Sequence, residues 1–206
     1  MNILTLVPFD GFVPIMTGIV KGVYRDTGEK KICYISLNKP CKALIATLQG
    51  EGLDSTRFHI IDAVTKMAVA APKPIEGCSF VSSPAALSEL YATFSQLIEQ
   101  EDYGALILDS VSTILVYEHG SVVIKFLHMI ITKASLKGCH GAFICLKEDM
   151  DKQLLRELNM IVDVVRDYAK DMPMQEASET PPAPARRAER KPGFLERLFG
   201  RKNTQR

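Results

Sequence analysis

Short runs of consecutive apolar residues alternate along the chain with longer segments whose apolar positions recur at three- and four-residue spacing. The runs NILTLV, KICYISL, FHIIDAV, ALILD, GAFICL and IVDVV predict six strands. They are near-continuous rather than alternating, which is the pattern of strands buried on both faces. Between them, Ile15, Ile19, Val20 and Val23 fall on one face of a first helix. Pro40 opens a second helix, with Leu44, Ile45 and Leu48 facing inward and an end near Gly50 and Gly52. Ser83 and Pro84 suit the N-cap and first turn of a third, whose stripe is Leu87, Leu90, Tyr91, Phe94, Leu97 and Ile98. A fourth starts near Ser121 and carries Val122, Val123, Phe126, Leu127, Ile130 and Ile131; a last one carries Leu154, Leu155 and Leu158. Residues 65–83, with two prolines, have no period and read as irregular. Strands alternating with helices predict β-α-β units and a mostly parallel sheet, an α/β fold.

The sequence has 206 residues, 47% apolar and 24% charged, the balance of a globular protein with one core. Its near-neutral charge is divided unevenly. Residues 173–206 hold eight Lys or Arg and four Glu, a surplus of +4, against 17 basic and 20 acidic residues, −3, in the rest. A mildly acidic body does not suit nucleic acid, whose phosphates need clustered cations. The five cysteines are odd in number and form no CxxC, as expected of a reduced, intracellular protein without a disulfide framework or zinc site. The N-terminus has neither the basic flank nor the cleavage site of a signal peptide. The most apolar stretch, residues 103–117, is interrupted by Asp109 and too short to span a bilayer. A cytoplasmic protein is expected, with a folded domain over residues 1–171, a disordered Pro/Ala/Arg-rich linker over 172–192 and a short basic amphipathic segment over 193–206.

The most informative chemistry lies in ALILDSVSTIL. Four apolar residues ending in an acid place Asp109 at the carboxyl end of a parallel strand, where open α/β sheets bind ligands and where a Walker B acid holds Mg²⁺. Asp109 and Ser110 equally suit the start of an ordinary turn. His59 lies within a strand and reads as a core or edge histidine. Cys139 and His140 are neighbours pointing to opposite faces, so they do not make a dyad with each other. Asp149 and Asp151 read as caps of the last helix, and Met67, Met129 and Met160 as core filler.

ALILDSVSTILVY followed by a long apolar helix and GAFICL resembles the central region of the KaiC, RadA and archaeal flagellar accessory ATPases of the RecA superfamily. YISLNKPCKALIATLQGEGLD, FHIID and ALILDSVSTIL together resemble archaeal KaiC-like proteins of unassigned role more closely still. The resemblance covers residues 1–166 and implies a RecA-like three-layer αβα domain, with Asp109 at the Walker B position and Ser110 beside it. The loop after the first strand departs from the pattern: PFDGFVPIMTGI offers Gly11 and Gly18 but no GK[ST] to wrap phosphates and hold a metal. Where the KaiC-like ATPases carry glutamates after the second strand, this chain has Asn38 and Lys39. Phosphoryl transfer depends on positioning and electrostatics that such losses remove. The reading is therefore a non-catalytic regulatory or scaffolding domain of archaeal signalling or motility, with no cofactor required. A weak nucleotide switch that uses ATP and Mg²⁺ at Asp109 and Ser110 is the alternative.

The C-terminal segment recovers an apolar face in Phe194, Leu195, Leu198 and Phe199, next to Arg197, Arg201 and Lys202. It reads as a solvated extension, a helix that enters a protein partner's groove, or a shallow anchor on an anionic membrane surface. Self-association follows from the resemblance alone.

Overall fold

The computed structural model of the chain describes residues 1–168. The linker at 172–192 and the segment carrying Phe194, Leu195, Arg197, Leu198, Phe199, Arg201 and Lys202 lie outside the described residues. In chain order the elements are β1 (Asn2–Val7), α1 (Phe12–Asp26), β2 (Lys31–Ser36), α2 (Cys41–Gly50), β3 (Phe58–Asp62), α3 (Thr65–Ala68) and β4 (Cys78–Phe80). Then follow α4 (Leu87–Gln100), β5 (Tyr103–Asp109), α5 (Val111–Tyr117), α6 (Gly120–Leu136), β6 (His140–Leu146), α7 (Lys152–Leu158) and β7 (Val164–Asp167).

The strands form one sheet in the order β4-β3-β2-β5-β6-β1-β7, and every pairing is parallel. Successive side chains of a strand point to opposite faces, so each strand feeds two cores. On one face Ile32, Tyr34, Phe58, Ile60, Ala105 and Ile107 pack beneath Met16 and Val20 of α1 and Leu44 and Leu48 of α2. On the other, Cys33, Ile35, Ile61, Leu106, Leu108 and Phe143 pack beneath α4, α5, α6 and α7. All seven residues of β5 are buried. This is the three-layer α/β sandwich expected from the continuous apolar runs, with seven strands rather than six. Among the described residues no helix is long and apolar enough to cross a membrane.

The departures from expectation have local causes. The additional strand, β4, is only three residues long and sits in the Pro-rich stretch read as irregular; it pairs with β3 at the sheet edge. The third predicted helix begins at Leu87, not at Pro84. Ser83 instead accepts the Ala86 N–H in a turn, and Glu89 reaches back to accept the Ser82 N–H at 2.8 Å. The seven residues after Ser110 form α5, which the sequence reading passed over. In IVDVV, Ile161 and Val162 pack on the core, and the strand starts only at Val164. Met67, Met129 and Met160 are exposed by 56%, 47% and 81%, so they do not fill the core. They occupy outward positions that the apolar stripes of their segments leave to solvent.

Candidate functional site

The connections of β2 and β5, which are neighbours in the sheet, diverge: β2 leads through α2 toward the β4 edge and β5 through α5 and α6 toward the β7 edge. In open α/β sheets such a divergence leaves a crevice at the carboxyl ends of the two strands. Asp109 ends β5 there, in register with Ser36 of β2. It is 5% exposed, and both carboxylate oxygens are taken by protein donors. The Tyr34 hydroxyl donates to Oδ2 at 3.0 Å and the Asn38 amide to Oδ1 at 3.2 Å. Thr113 of α5 donates to Oδ1 of Asn38 at 2.7 Å, and its hydroxyl lies 3.2 Å from that of Ser110. The Asp109–Ser110 peptide is cis. Burial pushes the Asp109 carboxyl above its ordinary range, opposed by the two hydrogen bonds and by the Lys39 ammonium. Burial, with Asp109 next, likewise raises the Tyr34 phenol well above its usual value, so Tyr34 is a stable donor.

A second buried acid, Asp62 at the end of β3, is one that sequence reasoning missed. It accepts the Cys41 N–H at the start of α2 at 2.6 Å, the Val64 and Thr65 N–H groups at 2.8 Å each, and the Thr65 hydroxyl at 2.5 Å. It is 0% exposed, and it satisfies orphan donors of two helical starts at once. The signal available was an acid at the end of an apolar run with Thr three residues on.

The loop from β1 into α1 is short. Gly11 caps α1 at φ 84°, a left-handed conformation that favours glycine. The first turn of α1 is Phe12, Val13, Pro14 and Ile15, with no side-chain cap, and Pro14 has no N–H to offer a ligand. The Phe9 N–H is already directed to Oε1 of Glu148 at 3.2 Å. A carboxylate and apolar side chains thus stand where a phosphate cradle is needed, and each Asp109 oxygen already accepts an internal hydrogen bond. The residues present do not fit a nucleoside triphosphate with its Mg²⁺. Among the described residues no cluster of three or more His, Cys, Asp or Glu could hold a metal ion.

A cavity of about 210 Å³ lies between α1 and α2, lined chiefly by Phe12, Met16, Val20, Leu44 and Leu48, with Tyr34, Asn38, Lys39 and Asp109 also in its wall. The remaining sequence candidates are dispersed. His59 on β3 meets the Ser79 hydroxyl at 2.9 Å, and burial holds its imidazole below the ordinary range. Cys139 is buried with its thiol pushed up to about 12 by desolvation, while His140 is exposed beside the N-terminal ammonium at 2.8 Å. Burial also pushes the Cys145 thiol up to about 11, so neither cysteine is an activated nucleophile. Asp151 does cap α7, accepting the Leu154 N–H at 2.7 Å; Asp149 instead lies in the short turn before it.

The parallel sheet with its two helical layers is that of KaiC-like RecA-type proteins. A KaiC-like protein of the hyperthermophilic archaeon Pyrococcus horikoshii OT3 superposes with a TM-score of 0.56 at 15% identity, over 81% of this chain and 71% of that one. An uncharacterized protein of Pyrococcus horikoshii, solved in complex with an unknown peptide, gives a TM-score of 0.60 at 12% identity, over 81% and 76%. At the level of sequence, residues 29–167 match the family of unknown function DUF7504. That is more than half of the chain, and the chain belongs to this family. No curated protein matches it.

Two substitutions separate the roles of the acids. Asp62→Ala strands buried donors and should cost about 2–4 kcal/mol in urea unfolding, given about 1–3 kcal/mol per unsatisfied group; a loss near zero contradicts the capping role. For Asp109 the folded state holds its proton more tightly than the unfolded chain does. The stability it contributes is therefore present in acid and is lost as pH rises through its folded pKa. Asp109→Asn should gain in Tm relative to the natural chain between about pH 4 and pH 7; a relative fall over that range contradicts it.

Proposed function

We propose that the chain is a non-catalytic, RecA-like (KaiC-like) domain that acts as a regulatory or scaffolding protein, in the setting the resemblance implies, archaeal signalling or motility. One observation carries this reading: both oxygens of the Walker-B-positioned Asp109 are hydrogen-bonded to Tyr34 and Asn38. A metal at that carboxylate would have to share oxygens already engaged by two internal donors, a competition that weakens its hold. The loop from β1 adds to this, since it gives one of its N–H groups to Glu148 and presents Phe12, Val13 and Pro14. In this reading the sheet and its helices are retained as a rigid body that displays surfaces to protein partners. The peptide found on the structurally similar Pyrococcus protein supports such use of the fold. The domain works in the cytoplasm and needs no cofactor, and its acidic body does not engage nucleic acid.

The weak nucleotide switch remains distinct from this reading by measurement. Steady-state hydrolysis of ATP with Mg²⁺ by the full chain should stay at the protein-free background, and Asp109→Asn should leave it there. Turnover above background that Asp109→Asn removes contradicts the proposal and assigns the chain to the ATPases.

A further inference from the structure

Large apolar side chains left in solvent collect at the carboxyl edge. Phe9 and Val13 flank the start of α1, and Val116 and Tyr117 end α5; they are 71%, 66%, 79% and 47% exposed. Between these segments lies a groove of about 410 Å³, whose apolar wall is Phe12, Val116, Tyr117 and Leu146 and whose polar wall includes Asn38, Ser110, Ser112, Thr113 and Asp149. The Phe9 N–H bond to Glu148 ties the loop from β1 to the turn after β6, which brings Phe9 to the same rim. Single exposed apolar residues are ordinary on any surface, but Val116 and Tyr117 stand together on a groove wall, which is where contact sites form.

Acids outnumber cations in the segments that build this groove, whose cations are Lys147 and, beside the lining Asn38, Lys39. Asp10 follows Phe9, Glu118 follows Tyr117, and Glu148 and Asp149 form the turn after β6. None of these four is in an ion pair among the described residues, whereas the adjacent Lys147 is held by Asp167 at 2.9 Å. An acidic rim repels anionic lipid headgroups and nucleic acid phosphates. Strand addition is closed as well, because β5 and β6 are interior strands with both edges paired. A side-chain-mediated contact remains, in which apolar anchors enter the groove and cations meet the rim.

We propose that this groove takes a short, basic amphipathic helix of a protein partner. The inference rests on the reading of the chain as an interaction module and names the chemistry of what it recruits. Anchors such as Phe and Leu at three- and four-residue spacing would cover Val116 and Tyr117, and Lys or Arg beside them would meet Asp10, Glu118 and Asp149. Sequence of this chemistry occurs in the chain itself as KPGFLERLFGRK, residues 191–202, which supplies a probe.

The test is a fluorescence-anisotropy titration of that labelled peptide with the full chain, in which Leu198→Glu and Phe199→Glu together disrupt the apolar face of the chain's own copy. Saturable binding in the micromolar range is expected, weakening several-fold as salt rises because the rim contacts are exposed. Val116→Glu and Asp149→Lys, both at exposed positions, should each weaken it by about tenfold while Tm is unchanged. Leu136→Glu, an equally exposed apolar position on α6, should leave it as it is. Absence of saturable binding, or equal losses at Val116 and Leu136, overturns the proposal. A dimer that Val116→Glu dissociates, in protein that does not bind peptide, overturns it in favour of a second copy on this face. Failed binding without ATP turnover removes the groove alone, whereas turnover removes the reading beneath it.

Discussion

A carboxylate at the end of a strand buried on both faces must find its donors inside the protein. Asp109 finds them in Tyr34 and Asn38, one within β2 and one just beyond it. Asn38 is held in turn by Thr113 of α5, so one buried acid links the two strands whose connections diverge to the helix that follows the second. The backbone repeats the linkage, since the Leu37 N–H donates to the Asp109 carbonyl at 2.9 Å. Removing a single partner from such a set strands the others in a low-dielectric interior, where each unpaired group is costly. That coupling makes the network a structural joint of the sheet and opposes its opening toward a ligand.

Carboxylates serve the same end elsewhere along this edge. Asp62 gathers the donors at the start of α2 and of α3, and Glu148 takes the Phe9 N–H in the loop from β1. Backbone N–H groups at helix starts are the usual means by which α/β sheets hold phosphates. Here, internal acids and an apolar first turn occupy that means at α1 and α2. The layers of the domain follow those of KaiC-like proteins, while the acid at the carboxyl edge takes its hydrogen bonds from within the domain.

Much of the fold was legible in the sequence because strands buried on both faces write continuous apolar runs, and β5 is the clearest of these. The stripe from Leu87 to Ile98 likewise marked α4, whose Leu90, Phe94 and Ile98 are buried. What escaped was short or tertiary in origin. β4 has three residues and owes its pairing to β3, and α5 reads as a continuation of the apolar run before it. The position of Asp109 could be read from ALILD, but its partners could not. Tyr34 lies 75 positions away, and nothing local distinguishes a tyrosine that bonds a buried acid from one that fills the core. Asp62 was hidden for the same reason, since Cys41 reaches it across 21 positions.

The central proposal is that this carboxyl edge, whose acid is hydrogen-bonded to Tyr34 and Asn38, does not take nucleotide. Isothermal titration of the full chain with ATP and Mg²⁺ at concentrations up to about 1 mM tests it most directly. The account predicts no saturable heat, for the natural chain and for Asp109→Asn alike. A saturable, Mg²⁺-dependent isotherm that Asp109→Asn abolishes would contradict it.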